Sequence, residues 1–477
     1  MPDAFISLLT EHALRRPDRL AIADPNVELT WSQLAAAVAK RALELPAANS
    51  SEPPVVALHR PSDTAWLIDA LALRSRGLTV VCFPPAMPRL TVARQAEAFS
   101  ATALIGESSQ PLPGTIRSPH AWWREASLVH LTSGTTGTAM GVPRSEENLL
   151  DEAESVATGL ELDAETPLLC GTPVAHSFAS GLFLAALTVG APTVVVPSFD
   201  SATTTDLAER YAPAVLCGTP FVFRSLLRSP RVRAGALNGV RMPMTGGAPL
   251  HADLAADWLA TTGTPLVQEY GLSEGGIATV NHTHARETPA AVGRPLPGVR
   301  ITVVDEHGRE SDTGRTGRIL ITRKGNPSCY VGPDGQLVPV PGGSDARPGA
   351  VDTGDLGRLD DEGLLHLTGR AKTLINVAGS KVAPQTVEAA LLEHPDVQDA
   401  AVIGLADATR GEVVAALVEG DPGTLRPGDL ADHLRSRLSS FMVPRRWHIV
   451  PAAPRTASGK PDLHAIRQYF EKGGPTC

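Results

Sequence analysis

Cysteine is scarce and scattered in this chain: Cys82, Cys170, Cys217, Cys329 and Cys477 are five in 477 residues, without metal-ligand spacing. An odd, dispersed set in so long a chain excludes a disulfide framework and reads as reduced thiols, so a cytoplasmic location is expected. Basic residues are not in excess. With 42 Lys and Arg against 51 Asp and Glu, the formal net charge is -9, which leaves no electropositive footprint for nucleic acid. Long apolar runs are also missing. The longest, Leu182 to Pro197, is interrupted by Thr188, Gly190 and Pro192. It is too short and broken to cross a bilayer, and reads as a helix running into a buried strand. The opening Met1-Pro2-Asp3-Ala4-Phe5-Ile6 lacks the basic and apolar regions of a signal peptide. No internal repeat is present.

What the chain does have is an ordinary globular balance, 43% hydrophobic and 19% charged, at a length that demands two or more domains. Helical periodicity covers Phe5 to Arg16 and Thr30 to Leu45. Apolar strand-like runs recur between helical patterns: Leu20 to Ala23, Val55 to Leu58, Leu78 to Phe83, Ala103 to Ile105, Pro192 to Val196 and Ala214 to Leu216. Continuous apolar strands alternating with helices indicate parallel sheets covered on both faces. After about Gly293 the texture changes. Val299 to Val304 and Gly317 to Thr322 alternate with Gly/Asp turns, as in a small antiparallel, barrel-like unit over about residues 290–368. Gly332 to Gly349 reads as a long loop, and Thr373 to Cys477 as a compact α+β domain. The expected fold class is α/β, with a large N-terminal domain over residues 1–368 and a small C-terminal domain over 373–477.

One stretch carries chemistry on its face: Thr132-Ser133-Gly134-Thr135-Thr136-Gly137-Thr138-Ala139-Met140-Gly141. Glycine lets the backbone approach a ligand closely, and successive N–H groups and hydroxyls form a nest for phosphate oxygens. An apolar strand, Leu128 to Leu131, precedes it and a helical pattern from Glu146 follows. It has neither the Gly-x-x-x-x-Gly-Lys-Ser/Thr nor the Gly-x-Gly-x-x-Gly spacing, so in isolation a surface linker is an equal reading. Four further segments follow in order: Glu269-Tyr270-Gly271-Leu272-Ser273-Glu274; Asp352-Thr353-Gly354-Asp355; Gly369-Arg370-Ala371-Lys372 with Gly379-Ser380-Lys381-Val382-Ala383-Pro384; and Pro454-Arg455-Thr456-Ala457-Ser458-Gly459-Lys460. Alone, Asp355 reads as a turn carboxylate, Lys460 as a solvated charge and Glu274 as a helix-start acid. Together, from Arg16-Pro17-Asp18 to Lys460, the segments resemble the adenylate-forming superfamily: acyl-CoA synthetases, luciferase-like enzymes and nonribosomal adenylation domains.

The resemblance implies a two-step reaction. A carboxylate attacks the α-phosphate of ATP, giving an acyl adenylate and pyrophosphate, and a nucleophile then opens the anhydride. It assigns Thr132, Ser133, Gly134, Thr135, Thr136 and Gly137 to the outer phosphates and Ser273 to the α-phosphate. Glu274 would hold Mg²⁺, a hard cation suited to carboxylate and phosphate oxygens. Gly246, Gly247 and Ala248 would face the adenine; Asp355 and Arg370 would hold the ribose; Glu269, Tyr270 and Gly271 belong to the same nucleotide segment. Lys460 would bridge the carboxylate and α-phosphate, a task of positioning and charge. Lys372 falls at the implied hinge, 369–372, about which a mobile C-terminal domain would swing Lys460 out and present Gly379, Ser380 and Lys381 to an incoming thiol. Thr386 stands where relatives often carry Glu, while Glu388 is retained.

The acyl pocket falls on His176, Ser177 and Phe178, with Phe221, Tyr270, Gly276 and Ile277 as further walls. No Asp lies near Ser177, and a buried α-ammonium would be costly without a partner. The expected substrate is therefore a carboxylic acid without an α-amine, aliphatic or aryl. His176 reads equally as an aromatic gate or as a packed histidine. No carrier domain with a phosphopantetheine-type serine motif is present, so a freestanding enzyme, monomer or homodimer, is expected. Coenzyme A is the default acceptor, with a separate acyl carrier protein or an amine as alternatives. The other classes to weigh are a non-catalytic ligand-binding homologue and a coincidental phosphate-binding protein. The loop has Ala139-Met140-Gly141 where the family carries Pro-Lys-Gly, and Arg144 is the candidate to replace the lost cation.

Overall fold

The structure is a computed structural model describing residues 3–45, 55–106, 110–111, 122–132, 140–332, 335–343, 347–378, 380–407, 409–456 and 461–471. Two large sheets organise the N-terminal part. In the first, Leu168–Cys170 pairs in parallel with Thr193–Val195 on one side and Val215–Gly218 on the other. The sheet continues in parallel through Met242–Thr245 to Val267–Leu272, and turns back antiparallel through Gly276–Val280. The chain thus leaves Leu168–Cys170 first to one side and then to the other. Such a reversal opens a crevice beyond the carboxyl ends of the strands, where α/β proteins bind ligands.

The second sheet is built on Val55–Leu58, parallel to both Thr79–Cys82 and Ala103–Ile105, with Leu128–Thr132 alongside Thr79–Cys82. One hydrophobic core joins apolar residues of both sheets to the helices Glu146–Gly159 and Ser177–Val189. The second helix is buried continuously from Ala179 to Leu187, which explains its apolar character all round. His176 starts it and Gly190, in the left-handed region at φ +75°, stops it.

Two smaller sheets complete the chain. Arg300–Val304, Gly317–Thr322, Ala350–Leu359 and Leu365–Arg370 form a four-stranded antiparallel sheet, the form taken by the expected barrel-like unit. Beyond it, Ile375–Val377, Ser380–Val382, Asp399–Asp407, Gly411–Glu419 and Arg446–Val450 make a five-stranded sheet with its own core, packed by Pro384–Leu392 and Pro427–Arg435. This is the expected α/β architecture with a smaller C-terminal α+β part. No helix among the described residues is long and apolar enough to cross a membrane.

Two local readings are corrected. The loop is not followed directly by a helix: Met140–Arg144 returns antiparallel to Leu128–Thr132, with Thr132 opposite Met140, before the helix at Glu146 begins. Within Gly332 to Gly349, Leu337–Pro339 pairs with Cys329–Val331, which extends this sheet beyond Met140–Arg144. Gly141 and Pro143 hide the first strand, because both are depleted in strand interiors. Here Gly141 is required, since a Cβ would meet the Phe99 ring at 2.5 Å.

Candidate active site

The carboxyl ends of four parallel strands deliver candidate residues to one edge of the first sheet. His176 follows Leu168–Cys170, Phe221 follows Val215–Gly218, and Gly246 and Gly247 follow Met242–Thr245. Glu269, Tyr270 and Gly271 lie on Val267–Leu272, and Ser273 and Glu274 sit in its turn to Gly276–Val280. The Ser177 and Ser273 hydroxyls are 3.4 Å apart. That contact joins the candidate acid-binding helix to the candidate phosphate turn across 96 residues of sequence. Phe178 is half-buried against the main core.

Asp355 is the centre of a second group. Its Oδ2 accepts from the Tyr270 hydroxyl at 2.8 Å and its Oδ1 from Arg370 Nε at 2.5 Å. Arg370 is its cross-strand neighbour in the antiparallel sheet, so register alone brings acid and guanidinium together. The Asp355 N–H donates to Thr353 Oγ1 at 3.0 Å across the Gly354 turn, where φ is +72°. Tyr270 is buried, and burial together with the Asp355 charge pushes its phenol well above the usual range. It therefore remains a donor throughout the working pH range.

Glu269 is buried with its carboxylate against the Gly246 backbone, where a Cβ would lie 1.6 Å from Oε1. Glu274 is buried and accepts from the Tyr330 hydroxyl at 2.5 Å. Burial, then the Glu274 charge, push the Tyr330 phenol upward. Tyr330 lies on Cys329–Val331, and no motif pointed to it. Among the described residues no cluster of three or more His, Cys, Asp or Glu could cage a metal. A single oriented carboxylate fits Mg²⁺, which is usually held by one or two carboxylates plus substrate phosphates.

Three readings change. Arg144 is fully buried, paired with Glu152 at 2.9 Å and bonded to the Ser273 carbonyl at 3.2 Å and to Asn148 Oδ1. A guanidinium so enclosed is not a solvent-facing cation for outer phosphates. Gly276 does not leave its side-chain space to a substrate: a Cβ there would lie 2.0 Å from the Glu152 carboxyl carbon. Phe221 stacks edge-on with Phe199 and lies 5.2 Å beneath the Arg455 guanidinium, so it meets the C-terminal part. Ile277 is buried and fixed through its backbone to Glu152 and Arg323. His130, which sequence reasoning passed over, is buried with Nε2 2.9 Å from Ser180 Oγ. Burial, then the nearby Arg144 and His176 charges, push it down to about 3, so it is neutral.

Ser133 to Gly137 and Lys460 lie outside the described residues, as does Gly379. Thr132 closes the described end of the loop strand, its hydroxyl 3.4 Å from the Met140 carbonyl. Arg455 and Pro461 bridge on either side of 457–460, and Arg455 lies over the Phe221 ring. Lys372 lies in the single turn Ala371–Thr373 and Lys381 on Ser380–Val382.

A reversal crevice, a tethered carboxylate–tyrosine–arginine group and an acid-bearing turn fit a nucleotide-binding α/β enzyme. Comparison with known families fixes which kind. The profile of the AMP-binding enzymes matches residues 9–331, and that of their C-terminal domain matches 386–460. The chain belongs to the AMP-binding enzyme family, within the adenylate-forming superfamily. A fatty acid–acyl-carrier-protein ligase of Streptomyces coeruleorubidus is 31% identical over 399 residues, 81% of this chain and 74% of that protein. The indoleacetate–CoA ligase of Aromatoleum aromaticum is 28% identical over 510 residues, 97% of this chain and 98% of its own. Crystalline MatB from Rhodopseudomonas palustris with ATP bound superposes with a TM-score of 0.83 at 25% identity, covering 99% and 100% of the two chains. Without ligand the same protein gives 0.71 at 24% identity and the same coverage.

Proposed function

We propose that this protein activates a carboxylic acid lacking an α-amine, aliphatic or aryl, as its acyl adenylate, and passes the acyl group to coenzyme A. The observation that carries the reading is the 3.4 Å Ser177–Ser273 contact. It brings the start of the candidate acid-binding helix, whose sequence has no Asp near Ser177, against the turn that bears Glu274. In this reading Ser273 donates to the α-phosphate as the carboxylate attacks, and His176, Ser177 and Phe178 hold the acid. Asp355 takes the ribose hydroxyls between its tethers to Tyr270 and Arg370, and Gly246, Gly247 and Ala248 face the base. Thr132 to Gly137 take the outer phosphates, and Lys460 bridges acid and phosphate. Glu274 would hold Mg²⁺, which supplies charge neutralisation at the phosphates when bound.

Residues 369–372, with Lys372, act as the hinge between a large domain ending at 368 and a small one starting at 373. Rotation there exchanges Lys460 for the Lys381 face. The carrier-protein ligase among the relatives supports a separate acyl carrier protein as the second acceptor; an amine is the third. Incubation with ATP and a panel of aliphatic and aryl acids, followed by coenzyme A, tests this. Acid-dependent pyrophosphate and then thioester are expected. No pyrophosphate from a broad panel would instead support a ligand-binding homologue.

A further inference from the structure

Arg144 and Glu152 form a buried ion pair, with side chains 0% and 2% exposed. Such a pair is a poor device for stability, since desolvation offsets much of the attraction and apolar replacements are often as stable. Its partners show another use. Arg144 Nη1 donates to the Ser273 carbonyl at 3.2 Å, at one side of the turn between Val267–Leu272 and Gly276–Val280. Glu152 Oε1 accepts the Ile277 N–H at 2.9 Å, at the other side. A second buried guanidinium, Arg323, donates to the Ile277 carbonyl at 2.7 Å. Between these anchors the turn closes on itself through Gly275 N–H to the Leu272 carbonyl at 3.2 Å.

The surrounding backbone is shaped for this acid. A Cβ at Gly181 would lie 2.5 Å from Glu152 Oε1, and one at Gly276 would lie 2.1 Å from the same atom. Two elements far apart in sequence thus both lack side chains where the carboxylate sits. Arg144 also ends the strand that returns from the Thr132–Gly141 loop. One guanidinium therefore ties the loop's return strand to the Ser273 turn.

We propose that Arg144 and Glu152 are positioning residues, a buried clamp that holds the turn bearing Ser273 and Glu274 in register with the strand Met140–Arg144. The inference rests on the reading of Ser273 and Glu274 as α-phosphate and Mg²⁺ contacts. The clamp touches neither substrate, so its loss acts on placement, and a displacement of about 1 Å at reacting groups can cost roughly 100-fold in rate.

The test is the double variant Arg144→Met/Glu152→Gln. It removes both charges together and leaves an amide oxygen for the Ile277 N–H. Hydrogen exchange without nucleotide should show the amides of 272–277 exchanging at least about tenfold faster, with the rest of the protein unchanged. Acid-dependent pyrophosphate release should fall about 100-fold in kcat, with ATP KM within a few-fold and a higher Mg²⁺ requirement. Arg144→Lys, which keeps a cation but loses the fork, should fall between the two. It carries the test if the double variant does not fold. Wild-type exchange at 272–277 in a folded double variant would overturn the clamp. So would wild-type kcat and Mg²⁺ dependence. If the wild-type enzyme releases no acid-dependent pyrophosphate, the reading of Ser273 and Glu274 fails, and the exchange experiment still decides whether the turn is clamped.

Discussion

Tyr270→Phe isolates one atom of the proposed ribose site. The ring is buried in a small cluster with Ala278, Ile319 and Ile321, and phenylalanine keeps that packing. What disappears is the 2.8 Å bond from the phenol to Asp355 Oδ2. Asp355 is 8% exposed, so water replaces the donor poorly, and Arg370 Nε then holds only the other oxygen. A hydrogen bond to a charged acceptor contributes about 1.5–3 kcal/mol. At about 1.4 kcal/mol per factor of ten, ATP KM should rise about 10–100-fold. Chemistry occurs elsewhere, so kcat at saturating ATP should change less than about threefold. Because burial and the Asp355 charge keep the phenol protonated, the effect should be the same across about pH 6–9. Pyrophosphate release against ATP concentration, at saturating acid and with a thermal melt to confirm folding, measures it. An ATP KM within about twofold of wild type in a folded variant would refute the tether.

Three further outcomes are expected. Lys460→Ala should lower acid-dependent pyrophosphate release by about 10²–10³-fold while ATP binding by calorimetry is retained; near-normal release would remove Lys460 from the mechanism. Gly276→Ala introduces a Cβ 2.0 Å from the Glu152 carboxyl carbon at φ +67°, and should destabilise the protein by about 2–5 kcal/mol. An unchanged melting profile would show that the carboxylate does not fill that space. Glu388, half-buried with Oε1 accepting the Val402 N–H at 2.8 Å, is raised by burial to about 7 from 4.5. The fold therefore favours its protonated form, and the cost of ionising it is absent below the ordinary value, grows between the two and is full above about pH 7. Glu388→Gln keeps the acceptor, so it should stabilise by about 1–2 kcal/mol at pH 8 and by almost nothing at pH 4.5. Denaturant unfolding at both pH values checks this, and an equal gain at each would contradict the assignment.

The fold was legible where burial on both faces writes a continuous apolar run. Every residue of Ala103–Ile105 is buried, and Gly317–Thr322 buries Ile319, Leu320 and Ile321 in succession. The strands that escaped notice are those whose partners, not their composition, make them strands. Met140–Arg144 carries Gly and Pro, and it is held by Leu128–Thr132 and Cys329–Val331 on its two sides. Leu337–Pro339 runs from half-buried to exposed, so no hydrophobic periodicity marks it. In both cases tertiary pairing overrides local preference.

The same distinction governs the site. Asp355 and Arg370 could be read because their motifs are short and their meeting follows from strand register. Tyr330 could not be, because its bond to Glu274 spans 56 residues and nothing near it announces a phenol facing a carboxylate. Arg144 was misread for a physical reason. Four residues beyond Met140, it looks like a displaced cation only if the segment is a loop open to solvent. Once that segment is a strand, Arg144 is fully buried among Asn148, Glu152 and the Ser273 carbonyl. One signal was available. Asn148 and Glu152 follow Arg144 at successive intervals of four, on the face that also buries Leu149, Ala153 and Val156. Polar residues at helical spacing on an apolar face require an internal partner, and the arginine one turn earlier is the nearest. The missing loop lysine therefore finds no substitute in Arg144, whose charge is committed to Glu152 and to the turn that carries Ser273 and Glu274.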